Sequence, residues 1–118
     1  MLSKYFDKKE VLSGAEKYVT DAESIILSNY SSQNLTCEKI AKQINISAVY
    51  LRKLFIKYRN MPPSEYLTDI RMKKARLYIL EGHTVSGAAQ NTGYGDIYQF
   101  SRAYKKYYGY PPTTTSKI

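Results

Sequence analysis

One pattern occurs twice along these 118 residues and constrains the fold more than any other: a short helix, a turn, a longer helix and a Pro-Pro pair. Ala41 and Ala89 stand 48 residues apart, whereas Leu51 and Phe100, Phe55 and Tyr104, and Pro62 and Pro111 each stand 49 apart. One residue has therefore been inserted at the second turn. Self-similarity in this register marks a duplicated unit, and the unit with this order of elements is a helix-turn-helix.

Local signals agree with the repeat. Over 15–29, Ala15, Tyr18, Val19, Ala22, Ile25 and Ile26 recur at three- and four-residue spacing, the period of an amphipathic helix. After the polar break at 30–34, Thr36 can cap a short helix over 37–43, and Ser47 a longer one over 48–59. Asn45, at the turn between them, tolerates a left-handed backbone. Pro63 suits the first position of a helix over 63–81, and Gly82 its end. Thr84 then caps 85–91, Gly93 sits at the turn, and a last helix over 96–108 closes at Gly109 and Pro111-Pro112. No Val/Ile/Thr-rich alternating run is bounded by hairpin signals. The expected fold is all-α, with two homeodomain-like helix-turn-helix subdomains joined by a long linker helix. Its expected parts are a flexible segment 1–14, a first unit 15–62, a linker 63–82, a second unit 83–112 and a tail 113–118.

The long helices have two unlike faces at 100° per residue. In 48–59, Leu51, Leu54, Phe55 and Tyr58 turn inward, and Val49, Arg52, Lys53, Ile56 and Lys57 turn outward. In 96–108, Phe100, Ala103, Tyr104 and Tyr107 turn inward. Tyr98, Arg102 and Lys105 turn outward, with Gln99, Ser101 and Lys106 at the margins and Ile97 at the edge of the core. The outward faces correspond in the repeat, Val49 with Tyr98 and Lys53 with Arg102. Such a face suits the major groove, where Arg or Lys donates to guanine, Gln pairs with adenine and an apolar group meets the thymine methyl. Exposed Lys and Arg on one helix are usually just solvated; two faces in register, each carrying an exposed apolar or aromatic group, argue against that reading. In the linker helix, Leu67, Ile70 and Tyr78 oppose Met72 and Ile79, so it is expected to pack on two sides. Its span of roughly 28 Å is close to the ~34 Å between successive turns of one DNA groove.

Composition narrows the classes. The net charge is +8, and between Tyr50 and Tyr110 eleven basic residues face four acidic ones, so +7 of it lies there. A concentrated positive field favours a polyanion. Apolar residues make up 43% of the chain, enough for a core. No run approaches the ~18 apolar residues of a membrane span, and the first residues lack the apolar stretch of a secretory signal. With one cysteine and one histidine, neither an internal disulfide nor a zinc quartet can form. The chain reads as cytoplasmic, reduced and free of metal and cofactor.

With the repeats in place, the chain resembles the AraC/XylS family of bacterial transcription regulators. The resemblance rests on residues 35–41 (LTCEKIA) and 46–55 (ISAVYLRKLF), then Tyr66-Leu67, Arg71 and Lys74-Ala75 in the linker. Gly93-Tyr94, 100–106 (FSRAYKK) and 109–112 (GYPP) complete it, so it covers 15 to about 112. It implies a regulator that reads double-stranded DNA with two recognition helices in successive major-groove segments and takes RNA polymerase as a partner. It further implies the output domain of a longer signal-responsive protein, such as a two-component response regulator, with no small-molecule ligand in this part; a stand-alone activator is the alternative. Carried over by position, Val49, Arg52, Lys53, Ile97, Tyr98 and Arg102 face bases, with Tyr50 and Gln99 expected beside them, and Ser47, Lys57, Ser101 and Lys105 meet phosphates or the groove edge. Three departures stand out. Gly87-Ala88 replaces a larger pair in the second short helix, Gly95 replaces a polar cap, and Thr113-Thr114-Thr115 replaces a short helix with an aromatic anchor.

Rival chemistries find little support. Some DNA-repair proteins couple a reactive cysteine to such a module, but Cys37 has no His or acid partner in the sequence and reads as a structural thiol. His83 reads as a surface residue, and no paired carboxylates, phosphate loop or nucleophile motif occurs. The chain is expected not to be an enzyme. Thirteen tyrosines could serve an RNA-binding module, yet most fall on inward faces. A protein-interaction module would show no salt-sensitive affinity for nucleic acid.

Overall fold

Helix α1 spans Gly14–Asn29, α2 Cys37–Gln43, α3 Ala48–Arg59, α4 Pro63–Leu80, α5 Val85–Asn91, α6 Ile97–Tyr108 and α7 Pro112–Thr115. They come from a computed structural model that describes residues 14–115. No strand occurs among the described residues. Of the segment expected to be flexible, only Gly14 is described, and it opens α1; residues 1–13 and 116–118 lie outside the described part.

The described chain divides into two compact units, 14–28 with 36–65 and 29–35 with 66–115. Residues 29–35 pack with the second unit although in chain order they lie inside the first repeat.

The repeat register is kept in backbone detail. Thr36 and Thr84, 48 residues apart, cap α2 and α5 by accepting the N–H of Lys39 (3.2 Å) and of Gly87 (2.9 Å). At the turns, the N–H of Ile46 donates to Ala41 O and that of Tyr94 to Ala89 O. Asn45 (φ 60°) and Gly93 (φ 85°) hold the matching left-handed positions. Past the turn the offset becomes 49: Ser47 and Asp96 cap α3 and α6, and Asn60 (φ 61°) and Gly109 (φ 86°) end them. The inserted residue is therefore Gly95. Gly95 thus replaces no cap: Asp96, expected to begin the helix, stands just outside it and caps α6 with its carboxylate.

The first unit buries Val19, Ala22 and Ile26 of α1, Ile40 and Ala41 of α2, and Leu51, Leu54 and Phe55 of α3. At its edge the Arg59 guanidinium donates to both carboxylate oxygens of Glu23, at 2.9 and 3.1 Å, with Glu16 3.7 Å away. In the second unit, Met72, Ala75 and Ile79 of α4 pack with Ala88, Ala89, Phe100 and Tyr104. The small pair Ala88-Ala89 lets α5 lie close against these rings. The hydroxyl of buried Thr92 donates back to Ala88 O at 2.7 Å, so burial leaves it satisfied.

Two further expectations need correction. Thr113–Thr115 do not replace the terminal helix; with Pro112 they form it. Proline suits a first helical position, and the anchor is Thr115, fully buried, whose hydroxyl pairs with that of Tyr104. In α6 the inward tyrosine is Tyr108 as well as Tyr104, and Tyr107 is exposed. The Tyr108 hydroxyl donates to Met72 O at 3.1 Å, and the Tyr107 hydroxyl donates to Asp69 at 2.7 Å on the outside.

Candidate nucleic-acid interface

Each long helix of a repeat is held by the core on one side and by a cap at its start, which fixes the direction of its outer face. In α3 that face is open: Val49 is 65% exposed and Tyr50 42%, and Arg52, Lys53, Ile56 and Lys57 are exposed with them. Tyr50 is steadied from beneath, its ring edge-on to that of Tyr18 at 6.3 Å. Lys57 lies 5.2 Å from the Tyr58 ring, a contact that orients the ammonium. The Ser47 hydroxyl accepts from Tyr50 N–H at 3.1 Å, which leaves its own proton free to donate outward.

In α6 the corresponding face carries Tyr98, 74% exposed, with Gln99, Arg102 and Lys105 exposed and Ser101 half-buried. Ile97 is 39% exposed; the wheel places it nearer the core than it lies, because it is the first residue after the cap. The start of the helix differs in chemistry from that of α3. Asp96 accepts from Tyr98 N–H at 2.8 Å, so a carboxylate stands where the first unit has a hydroxyl. It suits the positive end of the helix but cannot donate to a phosphate.

All twelve residues expected at the interface thus lie on the two outer faces, eleven of them exposed and Ser101 half-buried. Two contacts that shape these helices are not legible at the level of motifs. One is the Tyr18 support under Tyr50, and the other the Tyr107–Asp69 hydrogen bond.

The turn that leads into α6 has a further support. The Arg71 guanidinium donates from Nε to Tyr30 O at 2.9 Å and from Nη2 to Ser32 O at 2.8 Å, binding segment 29–35 to α4. Its face lies 5.6 Å from the Tyr94 ring. Burial lowers the pKa of Arg71, against the opposing effect of Tyr94. Gly93 leaves the space for this clamp, since a Cβ there would lie 2.7 Å from Arg71 Nη2 and 2.8 Å from Tyr30 O.

Cys37 is half-buried, with its thiol 3.9 Å from Ala48 O. Burial pushes the thiol pKa up, Glu38 adds to this and Arg52 opposes it, the reverse of what a nucleophile needs. Among the described residues no group of three or more His, Cys, Asp and Glu could hold a metal ion. No helix among them is long and apolar enough to cross a membrane.

Residues 40–118 match a family described as a helix-turn-helix domain. The chain is 37% identical over 111 residues to the Msm operon regulatory protein of Streptococcus mutans, covering 92% of this chain and 39% of that protein. In structure it is similar to the C-terminal domain of AraT, a response regulator from Geobacillus stearothermophilus. That match has a TM-score of 0.84 and 30% identity, over 91% of this chain and 87% of the other. A probable AraC family transcriptional regulator from Rhodopseudomonas palustris matches with a TM-score of 0.73 and 25% identity, over 86% and 95%. The chain spans 39% of the length of its streptococcal relative.

Proposed function

Because the chain belongs to the AraC/XylS family of helix-turn-helix transcription regulators, which bind DNA and are not enzymes, we propose that α3 and α6 each read base edges in the major groove. Val49, Tyr50, Arg52 and Lys53 serve the first unit, and Ile97, Tyr98, Gln99 and Arg102 the second. Ser47, Lys57, Ser101 and Lys105 hold the phosphates on either side, contacts that position a protein without specifying sequence. The observation that carries this reading is the correspondence of the two outer faces, Val49 with Tyr98 and Lys53 with Arg102, all four exposed. Solvation alone gives no reason for an exposed valine and an exposed tyrosine at equivalent places.

We further propose that the chain works in the cytoplasm as the DNA-reading part of a longer regulator, and that RNA polymerase is its partner at the promoter. The share of its relative's length that it spans supports this, as does its likeness to the C-terminal domain of a response regulator. The small-molecule or phosphorylation signal is then received elsewhere in such a protein.

The test is selection of bound sequences from a random duplex pool at moderate salt, with Lys53→Ala and Arg102→Ala in parallel. Two enriched base clusters are expected. Each substitution should remove ~1–3 kcal/mol and relax preference within one cluster, while Lys57→Ala weakens all sequences alike. An unchanged preferred sequence in both variants would show the groove assignment to be wrong.

A further inference from the structure

Gly95 is the residue inserted into the second repeat, and its place next to the Asp96 cap is filled from far away in sequence. A Cβ built on Gly95 would overlap the side-chain carboxamide of Gln33. Gln33 belongs to segment 29–35, which packs within the second unit and is fastened there by Arg71 through Tyr30 O and Ser32 O. Both Gln33 and Gly95 are exposed. The Gln33 amide is thus seated, in the open, at the N-terminal end of α6, and this is the end of a recognition helix that enters the groove.

The first unit shows what this position lacks. There Ser47 caps α3 and keeps a hydroxyl proton to offer a phosphate; at the equivalent place Asp96 has only a negative charge. At the cap itself, a neutral donor can come only from a neighbouring element. Gln33 carries one, two N–H groups on an uncharged amide.

We infer that Gln33 is a DNA-contacting residue of the second unit, donating its amide N–H to a backbone phosphate beside the groove that receives α6, and that Gly95 is its seat. The inference rests on the family's DNA binding and on α6 being a reading helix. It extends the interface to a residue outside both helix-turn-helix motifs.

The experiment measures affinity for the duplex enriched in the selection above, across a range of salt, for the unaltered chain, Gln33→Ala, Gln33→Glu, Gly95→Ala and the Gln33→Ala/Gly95→Ala pair. Gln33→Ala should lower affinity about three- to tenfold, the effect of one lost hydrogen bond, and by the same factor for all sequences. Gln33→Glu should lower it further, since a carboxylate there repels phosphate. Gly95→Ala should match Gln33→Ala, because the new methyl takes the amide's seat and the flexible side chain swings away. The pair should then be no weaker than Gly95→Ala alone. Melting temperatures of the Gln33 variants should equal that of the unaltered chain. Unchanged affinity in Gln33→Ala and Gln33→Glu would overturn the inference, as would losses that multiply in the pair. A loss confined to one base position would overturn the phosphate assignment and make Gln33 a base reader. Failure of the unaltered chain to select any duplex would instead overturn the reading of α3 and α6.

Discussion

At the scale of the residue, the second unit is stabilised by polar groups that found partners after burial. The hydroxyls of Tyr104 and Thr115 are buried and bonded to each other. Removing either one leaves its partner unsatisfied in the core, at a cost of about 1–3 kcal/mol. Tyr104→Phe and Thr115→Val should each lose stability in that range by urea unfolding, and the double variant should lose much less than their sum. Strictly additive losses would mean that each hydroxyl is satisfied without the other. This pair was not legible in the sequence, because three consecutive threonines after Pro112 give no sign of which one is the anchor. Tyr107 and Tyr108 pose the same kind of problem. They stand 100° apart on the wheel, which favours Tyr107 for the core, yet Met72 O draws Tyr108 inward and Asp69 holds Tyr107 outside.

At the scale of the element, the repeat made most boundaries readable, since caps and stops depend on short-range chemistry. Thr36, Ser47, Pro63 and Thr84 act where their spacing indicated. The duplicated left-handed positions show where local reasoning ends. Asn45 and Asn60 in the first unit (φ 60° and 61°) correspond to Gly93 and Gly109 in the second (φ 85° and 86°), all in the left-handed region. By backbone preference alone, asparagine should serve at all four. Around Gly109 nothing lies within 4 Å of a built Cβ, whereas at Gly93 the Arg71 clamp and Tyr30 O occupy the space. Gly109→Asn is therefore expected to cost no more than about 1 kcal/mol, while Gly93→Asn should cost at least ~2 kcal/mol by breaking a partly buried clamp. Paired thermal melts of the two variants check this; equal shifts would mean that the clamp adds nothing.

At the scale of the whole molecule, the two units should answer differently to alkali. Among the described residues, each tyrosine whose pKa is clearly raised lies in the second unit. Tyr30 is pushed up to about 12, first by its hydrogen bond with Tyr78, and Tyr107 to about 12 by burial and then by Asp69. Burial likewise raises Tyr94, Tyr104 and Tyr108. A group whose folded pKa exceeds its unfolded value of 10 stabilises the fold fully below pH 10 and loses that contribution as pH climbs through the folded value. Between pH 10 and about 12 the second unit should loosen first, seen in the ring signals of ¹³C-labelled tyrosines as Tyr94, Tyr104 and Tyr108 lose dispersion before Tyr18 and Tyr58. Simultaneous loss in both units would refute this. The overall architecture and both outer faces were legible because a duplicated pattern constrains each copy by the other. The seating of Gln33 on Gly95 and the Arg71 clamp were not, since each joins residues that no local periodicity relates.

The membership of residues 29–35 in the second unit bears on how such a chain can be made and divided. On the ribosome this stretch emerges well before Arg71, Gly93 and Gly95 exist, so it must wait, unsettled, while the helices around it form. A gene cut between the two copies would deliver a downstream half with its arginine clamp empty and its glycine seats vacant. The second copy thus draws on a stretch of chain that precedes the first copy's own turn.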